Sequence, residues 1–186
     1  DTAWELFHRL DLDETSVYLE KRKAQGFTVI QAVALAEIDG LNKPNANGDL
    51  PFLDQDYVKT NEAYWKHVDD ILDLALQNGL HVALLPTWGD KVFKASWGVG
   101  PEIFTPEKAY TFGKWIGNRY ADQKNIIWVI GGDRNPRPNS EDILVWHEMA
   151  RGISESQNER NRHLMTFHPQ PSEPGGSSNL FHDADW

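Results

Sequence analysis

Each stretch of this chain that reads as a buried strand is followed by an amphipathic helix, and the two alternate along its length. The runs Phe27–Leu35, Leu80–Trp88, Asn125–Ile130 and His163–His168 are short, apolar and rich in β-branched and aromatic residues, the signature of buried strands. A first short strand is expected at Asp1–Trp4, and a sixth is expected to begin at Phe181 and run toward Trp186. Between them lie helical patterns. One starts at Asp13 as cap and runs to about Gln25, stopped by Gly26. The next, Thr60 to Asn78, places Tyr64, Val68, Ile71, Leu72 and Ala75 on one face. Thr105 to Tyr120 begins with Pro106 at the first helical position. Ser140 to Ser156 has Asn139 or Ser140 as cap. Such alternation forces a parallel sheet with right-handed crossovers.

Two closures satisfy that pattern, an open doubly wound sheet and a (β/α)8 barrel. The first strand–helix junction, Asp1-Thr2-Ala3-Trp4-Glu5, has none of the glycines that cradle a dinucleotide phosphate, so no cofactor is implied. The long loops, 38–56 and 89–100, follow strands, whereas helix-to-strand turns are as short as Gly26 and Gly79. That asymmetry favours the barrel, whose active site is built by the loops at the strand C-termini. A barrel has eight units and typically about 250 residues; this chain has 186. Residues 1–186 are therefore expected to be one partial barrel domain, an N-terminal fragment of roughly five to six βα units. The missing C-terminal part of the same barrel would be its necessary partner. Open strand edges invite aggregation, so the isolated chain is expected not to be a well-behaved monomer.

Net charge is −10, with the acids scattered, which argues against nucleic acid and anionic membrane as partners. No apolar run is long enough to span a bilayer. Cysteine is absent, which removes disulfides and thiol chemistry. Eight tryptophans are many for this length. Indole rings pack flat on sugar rings, but they are also large core residues whose N–H needs a partner.

On the barrel reading, the strand-end residues converge on one mouth. They are Asp1 and Trp4 from the first strand, Gln31 and Glu37 around the second, and Trp88 and Asp90 after the third. Asp133, Arg134 and Asn135 follow the fourth, His168 ends the fifth, and His182, Asp183 and Asp185 lie near the sixth. Carboxylates, amides, imidazoles and indoles together suit a polyhydroxylated ligand such as an oligo- or polysaccharide. Within this set the turn Gly131-Gly132-Asp133-Arg134-Asn135-Pro136 puts one carboxylate at the lip of a buried strand. Glycosidic cleavage needs an acid to protonate the leaving oxygen and a second carboxylate to attack or to activate water. Asp133 is placed for the first role, although Asp before Arg-Asn-Pro is also good turn chemistry. His168, His182 and Asp183 could instead hold a divalent metal, but the first strand lacks the His pair that metal-dependent barrel hydrolases usually bring. No metal site is therefore assigned. A non-catalytic carbohydrate-binding barrel is the other alternative.

The motifs Asp1–Leu10, Tyr18–Phe27, Pro86-Thr87-Trp88-Gly89-Asp90, Trp128–Pro136 and Phe167-His168-Pro169 resemble the apiosidase-like barrel domain, which includes glycoside hydrolase family 140. The resemblance extends over essentially the whole chain. It implies a (β/α)8 barrel, a secreted or periplasmic setting, polysaccharide breakdown, and release of apiose from rhamnogalacturonan II side chains in the characterised branch. The family's catalytic pair is an Asp and a Glu. The Asp matches Asp133, as general acid/base. The Glu would lie on a later strand beyond Trp186, so the chain by itself is expected to be inactive. Trp4 and Trp88 would be subsite walls, with Asp1, Gln31, Asn135 and His168 holding sugar hydroxyls.

Overall fold

The computed structural model describes residues 1–54, 57, 59–95, 98–157, 162–170 and 180–181. Four strands, β1 (Val29–Leu35), β2 (His81–Thr87), β3 (Ile126–Gly131) and β4 (Met165–His168), form one parallel sheet in sequence order. The first strand is reduced to a bridge from Thr2 to Gln31. Backbone bonds extend it: Gln31 N–H donates to Asp1, Ala3 N–H to Gln31 and Val33 N–H to Trp4. Counted with it, β3 is the fourth strand of the barrel and β4 the fifth. The expected sixth strand, beyond Phe181, lies outside the described residues.

The helices are α1 (Leu6–Arg9), α2 (Leu12–Ala24), α3 (Glu62–Gln77), α4 (Pro106–Arg119) and α5 (Asp142–Glu155). Helix α2 is capped by Asp11, not Asp13. The Asp11 carboxylate takes the Glu14 N–H and the Glu14 carboxylate takes the Asp11 N–H, a closed capping box. Asp13 falls one residue into the first turn, where a negative charge still suits the helix dipole. Helix α1 was not expected. Its four residues carry no separate periodic signal, and it is buried through Leu6, Phe7 and His8. Asn61 caps α3 and Thr105 caps α4 with Pro106 behind it. The α5 boundary moves to Glu141, which makes no side-chain cap; Ser140 Oγ accepts the Asp142 N–H instead. Gly26 and Gly79 stop their helices at φ +87° and +71°.

The strands' outward residues, among them Ile30, Ala32, Val82, Leu84, Trp128 and Ile130, join the helices in one large core. Inward residues Val33, Leu85 and Val129 form a second, smaller cluster with Trp88, against which Trp4 and Ala83 pack. This inner cluster is the barrel interior, only part-filled by these strands. Curvature follows from two contacts. On a flat sheet, strands one and five are about 19 Å apart at a spacing of about 4.8 Å. Yet Trp4, from the end of the first strand, meets the His168 ring of β4 edge-on at 5.6 Å between centroids. Gln31 of β1 also reaches His168, at 3.4 Å. The sheet is therefore curled as in a (β/α)8 barrel, with its inward residues facing one another.

Candidate active site

The strand-end groups separate into an open layer and a closed layer. The open layer is built around Asp133. Strand β3 runs into Gly131 and Gly132 at φ +101° and +122°, and Asp133 follows at φ +54°. Three successive residues in the left-handed half of backbone space turn the chain back at the barrel lip. The first two are glycines because no side chain fits there. A Cβ on Gly131 would lie 2.5 Å from the His168 carbonyl oxygen, and one on Gly132 would lie 2.8 Å from the Gly89 nitrogen. Asp133 carries a side chain in a conformation that L-residues seldom adopt, the kind of local strain that clusters at functional sites. Arg134 holds the turn in place: it donates to the Asp133 carbonyl at 2.8 Å, to Phe93 at 2.8 Å and to Lys94 at 2.9 Å.

The Asp133 side chain is 29% exposed and that of His168 is 25% exposed. Their Oδ1 and Nε2 lie 2.6 Å apart. The opposite ring nitrogen of His168 faces the Gln31 amide. Trp4 and Trp88 pack around the same imidazole, with centroids 5.6 and 5.7 Å away. They also touch each other at 4.9 Å. Gln31, Trp4, Trp88, Asp133 and His168, which the sequence reading assigned to one mouth, thus meet around a single ring.

The roles of three of the proposed ligand holders change. Asp1 is not at the mouth. Its ammonium donates to the Val29 carbonyl at the start of β1, and Tyr18 and Arg22 of α2 hold its carboxylate. It opens the first strand, so it sits at the opposite end of the barrel. Trp88 is only 3% exposed and belongs to the interior cluster, so it floors the site and Trp4 offers the accessible indole. The Asn135 side-chain oxygen accepts the Gln170 N–H at 3.0 Å, which ties the loop after β3 to the loop after β4. His182, Asp183 and Asp185 lie outside the described residues. Among the described residues, no cluster of His, Asp or Glu has the arrangement of a metal site.

The closed layer lies beside this one. Asp90 and Lys91 are fully buried and paired at 2.7 Å. The second oxygen of Asp90 takes the Val99 and Gly100 N–H groups at 3.1 and 2.9 Å, and Lys91 also reaches the Glu37 carbonyl at 3.3 Å. Burial lowers the Lys91 pKa, opposed by the neighbouring Asp90. Sequence reasoning put Asp90 at the mouth, but it is a structural ion pair. Glu37, which sequence reasoning also put at the mouth, shares the electrostatic environment of Asp133 and Trp88. Burial raises its pKa, aided by the Asp90 charge, and it also feels Arg134, Asp133 and the Trp88 indole. That indole N–H is buried without a hydrogen bond of good geometry, and the Glu37 carboxyl is a group that feels it. Three other tryptophans lie in the outer core: Trp65 donates to Pro51, Trp128 to His163, and Trp146 packs on Phe167.

In similarity to known proteins, the model of the apiosidase-like catalytic domain matches residues 1–186. A solved glycoside hydrolase is 31% identical, with a TM-score of 0.81 over 100% of this chain and 39% of its own. A family 5 glycoside hydrolase from Bacteroides vulgatus is 30% identical, with a TM-score of 0.81 over 98% of this chain and 37% of its own. A broad-specificity endoglucanase from Clostridium acetobutylicum, 11% identical, shares the fold alone, with a TM-score of 0.59 over 89% of this chain and 52% of its own. No curated protein matches. The chain thus spans well under half the length of the two solved structures most similar in sequence among these. Among the described residues no helix is long and apolar enough to cross a membrane. With the family model matched from end to end and the curled sheet superposing on these enzymes, the chain belongs to the apiosidase-like catalytic domain family.

Proposed function

We propose that the protein to which this chain belongs is a glycoside hydrolase, with Asp133 as its general acid/base. The observation that carries this reading is the placement of Asp133. It is a partly exposed carboxylate at the end of the fourth barrel strand, held in a left-handed backbone conformation and bonded to His168. Oδ1 is occupied by the imidazole, and among the described residues no hydrogen bond engages Oδ2. Oδ2 is the atom that gives its proton to the glycosidic oxygen, which keeps the electron pair of the breaking bond. A second carboxylate completes the mechanism. In keeping with the family, it is a Glu on a later strand. Trp4 packs on an apolar sugar face, and Glu37, with its raised proton affinity, hydrogen-bonds a hydroxyl beside it. The substrate is plant cell-wall polysaccharide outside the cell, and the sugar released is apiose from rhamnogalacturonan II side chains. The apiosidase-like family description supports apiose as the sugar.

The test is Asp133→Asn in the whole protein. General acid–base catalysis is worth about 10²–10⁴-fold, and a loss in that range is expected in kcat, with an unchanged melting temperature. Wild-type turnover by this variant sinks the assignment.

A further inference from the structure

Both ring nitrogens of His168 are engaged by groups of this chain. Nε2 meets Asp133 at 2.6 Å, Nδ1 meets the Gln31 amide nitrogen at 3.4 Å, and Trp4 and Trp88 cover the ring. With the amide N–H facing Nδ1, the ring proton of a neutral imidazole sits on Nε2 and points at Oδ1 of Asp133. Both partners come from other strands, so the ring has one orientation. We propose that His168, oriented by Gln31, is the positioning residue that sets the proton on Asp133, and that it does not hold substrate hydroxyls. The inference rests on the acid/base reading of Asp133 and deepens it.

The physical reason is differential. An Nε2–H bond to the carbonyl oxygen of a neutral carboxylic acid is an ordinary hydrogen bond. As Oδ2 releases its proton to the leaving oxygen, negative charge spreads to Oδ1 and the same bond becomes charge-assisted, roughly twice as strong. An interaction that strengthens as the reaction proceeds lowers the barrier, and one of constant strength does not. The Nε2 proton itself stays on the ring, so only the Oδ2 proton changes hands. The charged groups that share this environment are Glu37 after β1, Asp90 after β2 and Arg134 after β3.

Two measurements on the whole protein decide the matter. In the first, nitrogen-15 spectra report which ring nitrogen of neutral His168 carries the proton, in wild type and in Gln31→Ala. The proton is expected on Nε2 in wild type and shared between the two nitrogens in the variant, because the bond made by one ring nitrogen fixes the proton on the other. A wild-type ring protonated on Nδ1 overturns the pairing, whatever the activity. In the second, kcat and KM are measured on rhamnogalacturonan II and on a dinitrophenyl apioside, whose leaving group needs no proton. His168→Asn is expected to lower kcat on the polymer by about 10-fold or more, within the span of acid–base catalysis. The activated glycoside is affected far less. KM barely changes. His168→Gln, whose amide N–H still reaches toward Oδ1, recovers part of kcat. A rise in KM alone overturns the proposal in favour of hydroxyl binding. If Asp133→Asn turns over like wild type while the ring proton of His168 sits on Nε2, the acid/base assignment fails and the pairing stands.

Discussion

Two sets of polar groups lie side by side on the same barrel lip, and they are built on opposite principles. Asp90 and Lys91 close on themselves: both are fully buried and both Asp90 oxygens are taken by this chain. Gln31, His168 and Asp133 form a chain of contacts that stops short, with one carboxylate oxygen free of any described partner. A closed set determines where loops go, because water cannot replace any of its partners. An open set has a valence left for a ligand. Charge at a strand end therefore does not by itself mark chemistry. The discriminating property is whether the protein has satisfied it.

The largest effect that separates the two sets is expected at Asp90. Asp90→Ala leaves the Lys91 ammonium buried beside a hole and frees the Val99 and Gly100 N–H groups. Breaking one half of a buried pair typically costs about 3–5 kcal/mol. Denaturant unfolding of the whole protein should show a loss of that size, and replacing both residues with apolar ones should cost less. Asp133→Asn should show almost none of it while losing turnover. A loss below about 1 kcal/mol for Asp90→Ala, the range of an exposed pair, would erase the distinction.

This contrast also explains what the sequence could and could not reveal. Period and turn chemistry made the strands, the barrel and the Gly26 and Gly79 stops readable. The Gly131-Gly132-Asp133 turn was readable because positive φ has a residue signature. Asp1 and Asp90 were misplaced for one reason: pattern places a residue at a strand end without saying what meets its side chain. Tyr18 and Arg22 claim Asp1, and the peptides of a distant loop claim Asp90. Likewise Trp88 read as a wall because its neighbours in the inner cluster, Val33, Leu85 and Val129, come from three strands. Glu37 was placed at the mouth by its position after a strand, and its neighbours there, Asp90, Arg134 and Asp133, come from loops after two other strands.

A middle-sized effect should appear at the turn that carries the open set. Gly131 stands level with His168 in the β3–β4 register, at φ +101°. Gly131→Ala places a methyl group against the His168 carbonyl oxygen and should cost about 1–3 kcal/mol, the usual range for a strained backbone site. Because the shift moves His168, kcat should fall along with stability, unlike either Asp90→Ala or Asp133→Asn. Equal kcat in variant and wild type would show that His168 tolerates displacement and is not held in register by this turn.

The smallest effect comes from the two ends of β4. His168, at the top, belongs to the open set. His163, just before the strand, is closed: its Nε2 faces the Gln123 carbonyl at 2.6 Å, and its Nδ1 takes the Trp128 indole N–H at 3.2 Å. Burial lowers the His163 pKa below its ordinary 6.5, against the opposing pull of that carbonyl. His8, buried in α1, is lowered for the same reason. The sign follows from linkage. Between the lowered folded value and about 6.5, the unfolded chain binds a proton that the folded chain refuses, so stability rises with pH across that window and is lost on acidification. Each such group contributes a slope of up to about 1.4 kcal/mol per pH unit. Unfolding free energy measured from pH 5 to 7 should therefore slope upward in wild type, and His163→Gln should flatten the slope by one group's share. A slope that His163→Gln leaves unchanged would show that this closed imidazole is not one of the groups that take up a proton on unfolding.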